Sequence, residues 1–339
     1  MAVAAAALLL WTALSRSPGK TPPGVSRSVI QPSGATPPAA PGPVTAVSVT
    51  DLGPLLPTPL LGTAAAAFGG RVLLLGGSGP AGFSAAVYAF TPAAGAKGGT
   101  VAAIGRLPEA LHDAGAAADA AGVLLCGGGR SVGEAAIYRV HPAGGTATPD
   151  GALPRALSDL EGVTVGGHPY CLGGWTGSTY SDAVYDLSGL AGGAVPVVAR
   201  LPHAVRYAAA LPLPGGVLVA GGRTSAGPTA AVQWVPVGAT AGAPAVVGQL
   251  PRPLVYAMGA TLAGTALVIG GCDPAGAPTS DILAVTAAGA VTAVGSLPQG
   301  VCYGSAAVVD GAVYVFGGQT ADGAPTDHLW RITRRPPGP

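Results

Sequence analysis

The 339-residue chain has little charge: 9% Asp, Glu, Lys and Arg, with a formal net charge of +1. That excludes the basic field a nucleic-acid binder needs, and the acidic field a basic partner needs. Lysine occurs twice, at Lys20 and Lys97, and glutamate three times, at Glu109, Glu134 and Glu161. Candidates for general acid–base work are therefore few. The five histidines are scattered, so no converging metal set is expected. Phosphate loops, Gly-x-Ser-x-Gly elbows and Cys-x-x-Cys pairs are all missing. No cofactor is expected. Aromatics make up 5% of the chain. What is abundant is Gly (56), Pro (34), Ala and Val, in apolar runs that recur regularly.

The N-terminus differs from the rest. Residues 1–16 open with "MAVAAAALLLWTAL", an apolar run of signal-peptide core length, too short to span a bilayer comfortably. The basic residues that should precede such a core are absent. Three readings stay open: a poor signal or anchor, an export segment that starts upstream of Met1, or a stray Ala/Leu-rich tail. Residues 17–42 form a Pro/Ser/Gly tract, expected to be a disordered linker. Export, with the chain extracellular or at the cell surface and tethered through this segment, is the expectation, as is a monomer.

Residues 43–333 are a repeat. Gly-Gly pairs begin at Gly76, Gly127, Gly173, Gly221, Gly270 and Gly317. Leu-Pro begins at Leu56, Leu107, Leu153, Leu201, Leu250 and Leu297, always 20 residues earlier. Two markers locked in phase over six copies define a period near 50. Within each period four strands can be read. A small-residue strand follows Leu-Pro; a Gly-containing hairpin turn leads to an apolar strand ending on Gly-Gly. A strand with an aromatic comes third, and a Val/Ala strand runs into the next Leu-Pro. The sixth copy lacks its fourth strand, ending at "HLWRIT" before the tail 334–339. "GPVTAVSVTDLGPLLP" (42–57) resembles the missing piece and has no copy of its own. The pattern predicts an all-β, closed six-bladed β-propeller with four antiparallel strands per blade. The N-terminal strand completes the last blade and removes its exposed edge.

The glycine pairs, with Tyr88, Tyr138, Tyr185, Trp234 and Trp330 following, resemble Kelch repeats, and the Leu-Pro frame resembles the bacterial exported Kelch type. The fifth repeat carries Leu283 instead, and the outer strand lacks the Trp of many Kelch repeats. The resemblance implies a propeller. It also brings in sugar-active members, a sialic acid mutarotase and the copper enzyme galactose oxidase.

In such a meander, residues after Leu-Pro and after Gly-Gly share one face, at the channel mouth. Positions five and six after each Leu hold Leu61-Gly62, His112-Asp113, Ser158-Asp159, Arg206-Tyr207, Val255-Tyr256 and Cys302-Tyr303. After the glycine pairs come Ser78, Gly129, Trp175, Arg223, Cys272 and Gln319. Against Ala, Val and Gly walls, these polar and aromatic residues stand out. The candidate ligand site is His112, Asp113, Asp159, Trp175, Arg206, Tyr207, Arg223, Tyr256, Tyr303 and Gln319. Aromatics with Arg suit a protein hot spot, or a sugar face and a carboxylate. The bland alternative is that strand-end polar groups only cap open backbone or face water. The expected function is a non-enzymatic module for a protein or glycan ligand; a carbohydrate-active enzyme using the same face is the alternative. An acid–base residue would come from Asp113 or Asp159, or from Glu109, which lies near the mouth. Cys126 and Cys171 are expected as separate buried fillers, whereas Cys272 and Cys302, on adjacent blades, are disulfide candidates.

Overall fold

A computed structural model describes residues 42–336 except 94–97, 131–132, 142–143, 191 and 194. The expected export segment and all of the expected linker but Gly42 lie outside the described residues. The described chain is all-β, with strands in several sheets and no helix. No helix among the described residues is long and apolar enough to cross a membrane.

The repeat unit is an antiparallel meander, as in the fourth repeat. Strands Ala209–Leu213, Gly216–Ala220, Ala231–Pro236 and Ala245–Gln249 pair in that order. The second strand is buried along its length, with Val217, Leu218, Val219 and Ala220 all at 0% exposure. This explains its continuous apolar run: neighbours cover both faces, so no alternation survives. Hairpins between the first two strands turn on pairs such as Gly69–Gly70 and Asp310–Gly311. Both residues of each pair have positive φ, which primed turns require.

Two departures from simple repetition appear. Repeats two and three share one strand, Ala147–Val165, and so form a single seven-stranded sheet. The sequence expectation puts a break at Leu153-Pro154. Instead the Glu134↔Leu157 pairing carries the ladder past that point. At the other end, Val47–Pro54 pairs antiparallel with His328–Arg334, so the first described strand lies beside the last. The pairing reaches Arg334, one residue beyond the expected boundary.

Each core cluster lies between two successive repeats. One joins Leu73 and Leu75 of the first to Leu107, Leu111, Val123 and Leu125 of the second. Another joins Tyr314 and Phe316 of the sixth to Val72, Leu74 and Phe90 of the first. The leucine of every Leu-Pro is buried in such a seam, at 3–6% exposure.

The glycine pairs are the junctions themselves. The N–H of Gly222 donates to Leu254 O of the next repeat at 2.7 Å. A Cβ on Gly221, whose φ is +68°, would lie 2.6 Å from that same oxygen. The other five pairs repeat this geometry. Their second glycines donate over 2.8–2.9 Å, and a Cβ on their first glycines would sit 2.2–2.6 Å from the accepting oxygen. The last of them, Gly318, donates to Leu60 O of the first repeat.

The cysteine expectation needs one correction. Cys126 and Cys171 are not separate fillers but a disulfide, with Cα atoms 6.9 Å apart. Cys126 lies one residue before its glycine pair and Cys171 two before. Side chains alternate along a strand, so the two face each other across the seam between repeats two and three. Cys272 and Cys302 are also paired, with Cα atoms 5.3 Å apart.

Candidate functional site

A ring of main-chain hydrogen bonds organises the site. Asp113 N donates to Gly62 O, Asp159 N to Asp113 O, and Tyr207 N to Asp159 O. Tyr256 N donates to Tyr207 O, Tyr303 N to Tyr256 O, and Gly62 N to Tyr303 O, which closes the circuit at 2.8–3.3 Å. All six residues have φ between +54° and +60°. That conformation is unusual for Tyr and tolerated by Asp. It aims successive N–H and C=O groups around the axis and turns the side chains toward the middle. The residue before each ring position pairs with the residue after a glycine pair: Leu61↔Ser78, His112↔Gly129, Ser158↔Trp175, Arg206↔Arg223, Val255↔Cys272 and Cys302↔Gln319. The two sets of positions expected to share one face therefore meet one to one.

The side chains on this backbone fall into two networks. In one, His112 Nδ1 lies 2.8 Å from Asp113 Oδ2, and Tyr303 donates its hydroxyl to the same oxygen. The hydrogen bond to Asp113 raises the His112 pKa, opposed in part by burial. Phe83 stacks on the imidazole at 4.3 Å and is 49% exposed. In the other network, Arg206 Nη1 donates to Asp159 Oδ2 at 2.9 Å. Its guanidinium lies over Trp175 at 4.8 Å, Tyr207 at 4.7 Å and Tyr180 at 5.6 Å. Burial, and then the charge of Asp113, push the Asp159 carboxyl up despite this partner. Tyr207, Tyr256 and Tyr303 link the networks, with ring centroids 4.0 and 4.3 Å apart in sequence. Burial raises all three phenols, so they remain neutral donors.

Two of the ten candidates lie apart. Arg223 is exposed, with no ion-pair partner among the described residues. It begins the short ribbon Arg223–Thr224 with Gly227–Pro228, at the edge of the aromatic cluster. Gln319 donates its amide to Gly323 O, closing its own loop. Glu109 does not enter the ring: it is half-buried and pairs with the exposed Arg130.

Three residues escaped the sequence reading. Phe83 and Tyr180 occupy one frame, five residues after the residue that follows the glycine pair, where each pairs back to it. Counting on from Ser78 and Trp175 finds them. The third is Glu161, two residues beyond the ring. At that position the other repeats carry Ala64, Gly115, Ala209, Met258 and Ser305. Glu161 lines a cavity of about 110 Å³ beneath the tyrosines. The cavity leaves it half-buried, yet removal from bulk water raises its carboxyl pKa to about 8. Asp113 and Asp159 add repulsion in the same direction. No hydrophobic periodicity betrays such a residue; one acid in a column of uncharged residues is the signal.

Among the described residues no group of three His, Cys, Asp or Glu side chains is placed to hold a metal ion. No family model matches the chain, and neither does any curated protein. Among solved structures it is similar to one titled "Structure of YjhT", at 16% identity and a TM-score of 0.70. The match covers 82% of this chain and 96% of that one. At this identity the likeness is one of fold, and the fold is propeller-like.

Proposed function

We propose that the chain is a closed six-bladed, Kelch-like propeller that recognises a protein or glycan ligand at the mouth encircled by the ring. The closed form is supported by three circuits that each return from the sixth repeat to the first: the ring, the glycine junctions and the cores between repeats. The recognition reading rests on one observation. Trp175, Tyr180 and Arg206 form an accessible aromatic–cation cluster with exposed Arg223 beside it, on a scaffold whose walls are Ala and Gly. A planar or sugar face stacks on such a cluster, and Arg223 has donors free for an acceptor on the ligand.

The cysteines support export. All four are joined across neighbouring repeats, which suits an oxidising compartment. The apolar N-terminal segment then serves as leader or tether, and the exported module is a monomer. One observation favours the alternative, a carbohydrate-active enzyme: Glu161 keeps a proton near neutral pH close to two further carboxyls.

Glycan and protein arrays probed with the wild type and a Trp175→Ala, Arg223→Ala double variant test the reading. Binding by the wild type that the double variant loses is the expected result; identical profiles overturn the site. NMR of sugar anomerisation separates the two classes. Acceleration that disappears in Asp159→Ala overturns the non-enzymatic reading.

A further inference from the structure

The cavity below the ring differs in chemistry from the mouth above it. Its wall carries three carboxyl groups, Asp113, Asp159 and Glu161, and three tyrosines, Tyr207, Tyr256 and Tyr303. Among the described residues no Lys, Arg or His lines it. The basic groups that neutralise its acids, His112 on Asp113 and Arg206 on Asp159, are not among the lining residues. The Glu161 side chain has no hydrogen-bond partner among the described residues. Ser305, on the same wall and 8% exposed, has a buried hydroxyl that is also unpartnered. Unpaired buried polar groups are costly and call for an occupant, whether water or ligand.

We propose that this cavity is a second binding site, for a small organic ammonium group held by Glu161 beneath the tyrosine rings. Carboxylates and aromatic faces together attract an alkylammonium, which offers both charge and N–H donors. Its size suits a few waters or one small ammonium group. Among the described residues no set of metal ligands converges here, which favours an organic cation over a metal ion. The proposal does not depend on what the mouth recognises.

Binding is linked to a proton. The groups facing Glu161 are Asp113 and Asp159, with the neutral phenols of Tyr207, Tyr256 and Tyr303. Its strand partner Leu172, and the neighbouring Gly115, Ala116 and Ala210, bring no charge. With its carboxyl pKa near 8, Glu161 must lose its proton to receive the cation at pH 7. Affinity therefore rises about tenfold per pH unit up to about pH 8 and flattens above it.

Calorimetric titration with methylammonium chloride from pH 6 to pH 9, against sodium chloride, tests this. The expected result is one saturable site, proton release below pH 8, and at least tenfold weaker binding by Glu161→Gln at pH 9. In the wild type, methylammonium should also lower the midpoint of the Glu161 carboxyl carbon-13 titration, a readout that needs no variant. No saturable binding at pH 9, equal competition by sodium, or an unmoved Glu161 midpoint overturns the proposal. The Trp175→Ala, Arg223→Ala variant should bind methylammonium unchanged. Failure at the mouth and failure in the cavity are thereby distinguished.

Discussion

The glycine junctions and the ring lie a fixed 14 residues apart along the chain, obey the same six-fold bonding, and treat their side chains oppositely. At the junctions every repeat has the same residue pair. At the ring the residues are Gly, Asp, Asp, Tyr, Tyr and Tyr on one backbone conformation. The difference is steric. A Cβ on the first glycine of a pair would meet the neighbour's carbonyl oxygen at 2.2–2.6 Å, so no side chain fits. At the ring the left-handed conformation is equally uncommon, but most side chains project into axial space that tolerates several shapes. Sequence freedom lies one step from sequence constraint, which is how a repeat builds one specific site.

Breaking a junction should have the largest effect. Gly221→Val sets a branched Cβ against Leu254 O at positive φ, and should cost about 3–5 kcal/mol in denaturant unfolding. Arg206→Ala comes next, at about 3 kcal/mol, because it leaves Asp159 buried without its partner. Measured the same way, a loss below about 1 kcal/mol would show that water replaces the guanidinium.

Glu161→Gln sharpens the comparison through pH. A carboxyl whose pKa rises from 4.5 unfolded to about 8 folded favours the native state only while protonated. Wild-type stability should therefore fall as pH rises from about 4.5 to 8, and the Gln variant should lack that component of the fall. Melting temperatures at pH 5 and pH 8.5 for both proteins check it; parallel profiles would place the carboxyl in bulk water. Arg223→Ala should have the smallest effect, within about 0.5 kcal/mol, since the side chain is exposed and unpaired. Its consequence should appear only in ligand binding.

The fold was legible because the constraint recurs. Leu-Pro and Gly-Gly recur in step since Leu250 of one repeat is buried in the seam where Gly221 of the repeat before it makes its junction, and loops absorb every change of length. The site was legible only in frame. Counting from Leu-Pro found His112, Asp113, Arg206 and the three tyrosines, but not who pairs with whom. That His112 serves Asp113 depends on the local backbone conformation at the ring, and that Arg206 reaches back to Asp159 of the preceding repeat depends on the handedness with which repeats follow one another. No spacing encodes that. The Cys126–Cys171 bond was hidden for a related reason: the one-residue offset matters only once two strands face each other. Glu161 was missed because a single acid in the first strand of its repeat carries no sign of its neighbours until Asp113, Asp159 and the tyrosines are brought around it.

The central claim is that the ring closes, with the first repeat seated against the sixth as firmly as any other pair. Native-state hydrogen exchange at the amides of Asp113, Asp159, Tyr207, Tyr256, Tyr303 and Gly62 tests it most directly. The account predicts that Gly62, which donates to Tyr303 O across the seam, is protected as well as the other five, all opening only with global unfolding. Fast exchange at Gly62 and Gly318 with the remaining amides protected would contradict it, and would describe an open chain of repeats with a free edge.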